Sequence, residues 1–431
     1  MSFAMKRLKR LGAELAKSGV KSLIRKAAPV PLCGMTLEED DAAIAREWIN
    51  KQDRWEDSTV IATLESAFAN WSGSRHAIAF SAGRKALSAS IEAFGFAGED
   101  EVIVPGYTCI VVQNAFDFAS VRTVHCDIEL DTFGPDVASV AACITPRTRA
   151  ILLQHLYGLV CRDYEAILQL ARRSGIKVIE DCAHVTGARF RGKRVGTFGD
   201  VAFYSAEWSK IFTSIGGGIA VTDDDVIAAG LRSFASKCVH PEPGTVMTQL
   251  RTAILTFLAH KRSSAWWALP WARFKYGRDE TIGMSQLEIA GGKPDDYFTR
   301  MPAPAAALAL NQLGKIDTLN SLRRETAAGW GAWCDQHGYR KPLTIPDSEP
   351  SFLRYPVMVE PARKANPDWA SRDLGVSLGV WFRTHLHPSS KPVTNCPNAD
   401  KAVAQCVNFP CLLPSQFNRS GPIRPRKVEV A

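Results

Sequence analysis

The stretch from residue 177 to 223 constrains this chain more than any other. It reads KVIEDCAH, a polar turn, GDVAFYSAEWSK, three glycines and a second β-rich run, IAVT. The first apolar run is a strand that delivers Glu180, Asp181 and His184 at its C-terminal end. The second strand runs into a loop carrying Ser205 and Lys210, with Lys210 set among Trp208, Ile211 and Phe212 ahead of Gly216, Gly217 and Gly218.

From residue 35 onward, helical and β patterns alternate, which predicts a parallel sheet covered by helices, an α/β fold. Strands are predicted at 76–80, 102–104, 150–154 and 354–359, and a capping-box start of a helix at Thr36-Leu37-Glu38-Glu39. After the strand at 76–80 comes Ser81-Ala82-Gly83-Arg84-Lys85, a small-residue turn opening a helix. Free backbone N–H groups at such a start suit a phosphate, and Arg84 or Lys85 would add positive charge.

Together these residues suit an enzyme using pyridoxal phosphate (PLP). The lysine that bonds the cofactor's aldehyde must be deprotonated and partly desolvated, as Lys210 would be among its apolar neighbours. A carboxylate must keep the pyridine nitrogen protonated so that the ring can draw in electrons, a role open to Asp181. A strand-end Asp or a loop Lys alone would be read as ordinary surface chemistry. Their joint pattern is what carries the reading.

EDCAH, RGKRVGTFGDVAFYSAEWSK and the following GGG resemble the DegT/DnrJ/EryC1/StrS family of PLP-dependent sugar aminotransferases, with Lys210 five residues after Ser205. TPRTRAILLQHLYG at 145–158 and YFTRMPAPAAALALNQLGKID at 297–317 extend the likeness. The resemblance implies PLP-dependent transferase fold type I, with a large, mostly parallel-sheet domain flanked by helices and a smaller C-terminal α/β domain. It further implies a homodimer with shared active sites and ping-pong transfer of an amino group from an amino acid, glutamate foremost, to a keto sugar, nucleotide-linked or a cyclic ketone such as an inosose. On that basis Lys210, Asp181 and His184 are the expected catalytic residues, His184 near the cofactor's phenolic oxygen. Ser205, Gly83, Arg84 and Lys85 are expected at the cofactor phosphate, although Arg84 stands where the family has threonine. The ring-stacking position holds Cys109 in place of an aromatic residue, so either Tyr107 reaches the ring or the Cys109 sulfur packs on its face. Phe298 replaces the asparagine that in the family reaches the partner subunit's phosphate site. His155 and His387 read equally as site or structural residues. Two rivals are a sugar dehydratase, against which Lys210 speaks because that branch has histidine there, and a non-catalytic scaffold, which would need neither Asp181 nor Lys210.

The expected organisation is a basic amphipathic segment and linker (1–34), a PLP-binding domain (35–238), a Trp-rich basic insertion (239–296) and an inter-domain helix with the small domain (297–431). Residues 1–26 hold eight basic residues against Glu14 alone, which accounts for most of the net charge of +8. The body is therefore near neutral, which excludes nucleic acid as its partner. Trp266, Trp267 and Trp271 lie among basic residues, the composition of a membrane-interface element, a lid or a subunit contact. Peripheral contact with an anionic inner membrane surface is thus an expectation for residues 1–26 and 254–278. Eleven scattered cysteines without a CxxC pair or zinc-type spacing predict reduced thiols, no metal and a cytoplasmic protein.

Overall fold

The computed structural model describes residues 30–413 apart from 34–35, 97, 262–282 and 296. Residues 1–26 and most of the Trp-rich element lie outside the described residues. Among those described, no helix is long and apolar enough to cross a membrane.

A seven-stranded sheet forms the centre: β1 (His76–Phe80), β2 (Glu101–Pro105), β3 (Arg122–Cys126), β4 (Thr148–Gln154), β5 (Lys177–Asp181), β6 (Val201–Ser205) and β7 (Gly218–Thr222). Their order is β1-β7-β6-β5-β4-β2-β3, parallel from β6 through β3, with β7 antiparallel to both β6 and β1. β2, β6 and β7 are buried at every position, so their apolar residues run on without the in–out alternation of a half-exposed strand, and polar side chains stand only at their ends, as Glu101, Ser205 and Thr222 do. One core under the sheet gathers Leu64, Phe68, Ile151, Leu153 and Phe212; the other face packs Ile78, Val102, Leu152, Ile179 and Phe203.

Two of the helices near the site show how local chemistry sets their starts and stops. α1 (Glu39–Ile49) begins two residues later than predicted, its capping box formed by Glu38 and Asp41 instead of Thr36 and Glu39. The helix Ser58–Ser72 is capped by Asp57 and ends on left-handed Gly73. At α2 (Gly83–Phe94) the N-cap is Ala82, which brings no side-chain acceptor. Its first N–H groups are left for another partner.

The register lines up the strand ends on one side of the sheet. Gln154 lies beside Asp181, Asp181 beside Phe203, Ser205 beside Gly218, and Gly218 beside Phe80. In open α/β sheets, the crevice outside the carboxyl ends of the strands is where ligands bind. The C-terminal part, built on the antiparallel pair β8 (Arg354–Met358) and β9 (Cys406–Pro410), has its own aromatic core of Trp330, Trp333, Tyr355, Trp369 and Phe409. It reaches the crevice through a short parallel pairing of Leu386–His387 with Thr108–Cys109.

Candidate active site

A cavity of about 700 Å³ opens at those strand ends, lined by Lys210, Asp181, His184, Ser205, Gly83, Arg84, Lys85 and Cys109. Residues predicted from four separate stretches of sequence therefore meet in one place.

Asp181 ends β5 with its carboxylate buried, one oxygen accepting the Ala183 N–H at 3.0 Å. Burial raises its pKa to about 6, opposed by that hydrogen bond and by the Lys210 charge. The neighbouring Glu180 points to the opposite face, as strand alternation requires. There it accepts hydrogen bonds from Tyr164 and from the N–H groups of Gly196, Phe198 and Gly199, so of the two carboxylates of one dipeptide Glu180 is tied into the fold and Asp181 stands at the cavity.

Burial pushes the Lys210 amine below its ordinary pKa, partly offset by the Glu207 carboxylate and reinforced by Arg354. Its loop is fixed by the Lys210 N–H on the Glu207 carbonyl at 3.0 Å. His184 is held neutral: burial drives its pKa well down, and Lys210 and Arg354 add to that. Its Nδ1 accepts the Tyr157 N–H at 3.4 Å, which leaves the proton on Nε2.

At the start of α2, a Cβ on Gly83 would stand 3.0 Å from Ser205 Cβ and 3.2 Å from the Tyr204 carbonyl, so any larger residue would press on the end of β6. The uncapped N–H groups, the Ser205 hydroxyl and the Lys85 ammonium thus border one small-residue cradle. Lys85 is 8% exposed and donates to Thr299 Oγ1 at 2.5 Å, while Ser81 shares that hydroxyl at 2.8 Å. A buried acid, an amine of depressed pKa and an N–H cradle fit PLP by charge and shape.

Two expectations are corrected. Tyr107 does not face the cavity: its ring packs 4.8 Å from Phe382 and its hydroxyl meets that of Tyr157 at 2.8 Å, in a fully buried cluster. Of the two alternatives only Cys109 lines the site, its sulfur 4.0 Å from that of Met284. Arg84 borders the cavity, but its guanidinium is engaged by the buried Glu288 at 2.7 Å and by the Gly283 carbonyl at 2.7 Å. Its charge is neutralised before it can serve a phosphate. Phe298 packs in the core against Phe234, with Lys293 over its ring at 4.2 Å.

Both ambiguous histidines line the cavity; His155 is the more deeply set, accepting the Cys161 N–H at 3.1 Å and stacking edge-on against Tyr164 beside Glu180. His387 borders the cavity, its Nδ1 3.3 Å from the Arg383 N–H, and burial lowers its pKa to about 4. Sequence reasoning missed Thr299, which supplies a hydroxyl one residue beyond Phe298. It also missed Gln154, bonded to Thr108 at 2.5 Å, although the strand-end logic that found Asp181 applies equally to it.

The model of the DegT/DnrJ/EryC1/StrS aminotransferase family matches residues 36–255 and 283–415. GDP-perosamine synthase of Caulobacter vibrioides is 41% identical over 194 residues, 45% of this chain and 51% of that protein. L-glutamine:2-deoxy-scyllo-inosose aminotransferase of Streptomyces kanamyceticus is 31% identical over 307 residues, 69% of this chain and 62% of that protein. The chain thus spans between half and two thirds of the length of these relatives. Among solved structures, the S. venezuelae protein DesV superimposes with a TM-score of 0.67 at 24% identity, covering 91% of this chain and 96% of that one. NtdA of Bacillus subtilis, solved with bound cofactor PMP, gives 0.67 at 19% identity, covering 89% and 81%. At these identities the two structures speak for the fold alone.

Proposed function

The chain belongs to the DegT/DnrJ/EryC1/StrS aminotransferase family, and from that premise we propose that it moves an amino group from glutamate or glutamine to a keto sugar. The observation that carries this reading is the meeting of Lys210 and Asp181, an amine depressed and a carboxyl raised by burial, in one cavity beside a glycine-lined cradle. PLP, when bound, supplies an aldehyde that takes up the amino group and a pyridine ring that draws in the electrons of the broken C–H bond.

The chain's residues then divide the work. The N–H groups at the start of α2, the Ser205 hydroxyl and Lys85 hold the phosphate. Asp181 keeps a proton on the pyridine nitrogen, whose positive charge in turn favours the ionised carboxylate. Lys210 would hold the cofactor through its aldehyde carbon. Its amine, unprotonated more readily than an exposed lysine, would when free serve as the general base and acid that carries the donor's α-proton. His184 lines the cavity as a neutral imidazole with its proton on Nε2, a donor that would suit the cofactor's phenolic oxygen. Cys109 offers a sulfur to one face of the ring.

The acceptor is a keto sugar, nucleotide-linked, or a cyclitol ketone. The first is supported by relatives named for GDP-perosamine and for a UDP-sugar, the second by those named for inososes. A homodimer, and a division into a PLP-binding body (35–238) and a C-terminal small domain (297–431), are part of the same reading. Separate core clusters under the sheet and around Trp330 support the division. The test is transfer of ¹⁵N from labelled glutamine or glutamate to a panel of nucleotide keto sugars and inososes, followed by mass spectrometry. Label in none of them, with PLP bound, would overturn the proposed reaction.

A further inference from the structure

Arg354 opens β8 and is 1% exposed, yet no carboxylate among the described residues forms an ion pair with it. Its Nε and Nη1 make no hydrogen bond, and Nη2 reaches only the Cys33 sulfur at 3.8 Å. A guanidinium does not shed its proton, so burial leaves a full charge uncompensated, a costly arrangement unless an anion arrives.

Its position says where that anion comes from. The Arg354 N–H donates to the Tyr157 carbonyl, and the Tyr157 N–H donates to His184. The guanidinium lies over the ring of Trp381, 4.0 Å from its centre, and Trp381, His184 and His387 all border the cavity. Stacking occupies the face of the guanidinium and leaves its planar edge, the part that forks onto a carboxylate. The charge is felt at both Lys210 and His184. Arg84, which lines the cavity, is already matched by Glu288.

We propose that Arg354 receives the carboxylate of the amino donor at its in-plane edge, with a rotation of the Trp381 side chain opening that edge to the cavity; the inference rests on the aminotransferase reading. An amino acid carries its carboxylate on the carbon that bears the reacting amine, so the carboxylate must lie close to Lys210. The phosphates of a nucleotide sugar lie at least a sugar ring away.

The test uses the full chain loaded with PLP, following the change in cofactor absorption during titration with L-glutamate and with its α-carboxamide. Wild type favours glutamate. Arg354→Met raises the half-saturating glutamate concentration roughly 50-fold, in line with a lost charge-assisted bidentate contact. It moves that for the α-carboxamide less than threefold, and Arg354→Lys falls between. PLP affinity, inhibition by GDP or UDP and the melting temperature are kept, or the last is raised, since an unpaired buried charge has been removed. Unchanged glutamate half-saturation, or equal losses for both donors, overturns the inference. Lost PLP binding or a lower melting temperature assigns Arg354 a structural role, and lost nucleotide inhibition assigns it to the acceptor; either result also overturns it. If wild type binds PLP but responds to no amino donor, the aminotransferase reading itself fails, which these variants do not mimic.

Discussion

Replacing Asp181 by Asn should make the cofactor-free protein more stable and the enzyme nearly inactive. The buried carboxyl has its pKa raised from 3.8 to about 6, and two units correspond to about 3 kcal/mol spent on ionising it inside the fold. The folded state holds its proton longer than the unfolded chain does, so stability falls as pH rises through 3.8 to 6 and stays lowered above. Asparagine keeps an oxygen for the Ala183 N–H and carries no charge. Linkage gives the cofactor-free variant an advantage of about 1.5 kcal/mol at pH 5 that grows to about 3 kcal/mol at pH 8. Denaturant melts of both proteins without PLP measure this directly. With PLP bound the order should reverse, because the ionised Asp181 then faces a protonated ring nitrogen, and the donor half-reaction of the variant should slow by a factor of about 100 or more. A cofactor-free advantage that is absent, or that does not change between pH 5 and pH 8, would refute the reasoning about Asp181.

Three further outcomes follow from the same geometry. Gly83→Ala forces a Cβ against Ser205 Cβ and the Tyr204 carbonyl, both anchored in β6; the PLP dissociation constant measured by fluorescence should rise about tenfold or more, a loss of about 1.4 kcal/mol. Lys85→Met should weaken PLP by roughly 10- to 100-fold, the value of a charge-assisted contact, while leaving binding of pyridoxal, which lacks the phosphate, within twofold; equal loss for both would remove Lys85 from the phosphate. Glu180→Gln strips the charge from a carboxylate that takes three backbone N–H groups and Tyr164, and should cost about 2–4 kcal/mol in denaturant melts, with an effect under 1 kcal/mol contradicting its structural role.

The parts of this site legible in the sequence are those fixed by local geometry. Asp181 and Ser205 end their strands, so alternation and strand length place them at the crevice. Lys210 follows at a set distance in a loop that strands on both sides pin down. Gly83 belongs to a turn whose backbone passes close to the end of β6. What escaped depends on partners far along the chain. Arg84 reads as a phosphate ligand until Glu288, more than 200 residues away, is seen to hold it. Tyr107 sits next to cavity-lining Thr108 and Cys109, and only the Tyr157 and Phe382 contacts reveal that its ring turns inward. Arg354 carries no local signal, because its meaning lies in the lack of an ion-pairing carboxylate among the described residues, which only the folded chain reveals. The helix at 39–49 shows the same limit in small: Thr36 with Glu39 has the capping-box pattern, yet Glu38 and Asp41 form the box.

The central claim is that Lys210 and a buried Asp181 make this cavity a PLP site that accepts an amino group. The visible absorption spectrum of the PLP-reconstituted protein, taken before and after adding glutamate or glutamine with Lys210→Ala in parallel, tests it most directly. The predicted result is a band of bound cofactor that depends on Lys210 and is lost when the amino acid is added, then restored by a keto acceptor. A protein that binds no PLP, or a band that forms equally well in Lys210→Ala, would contradict the claim.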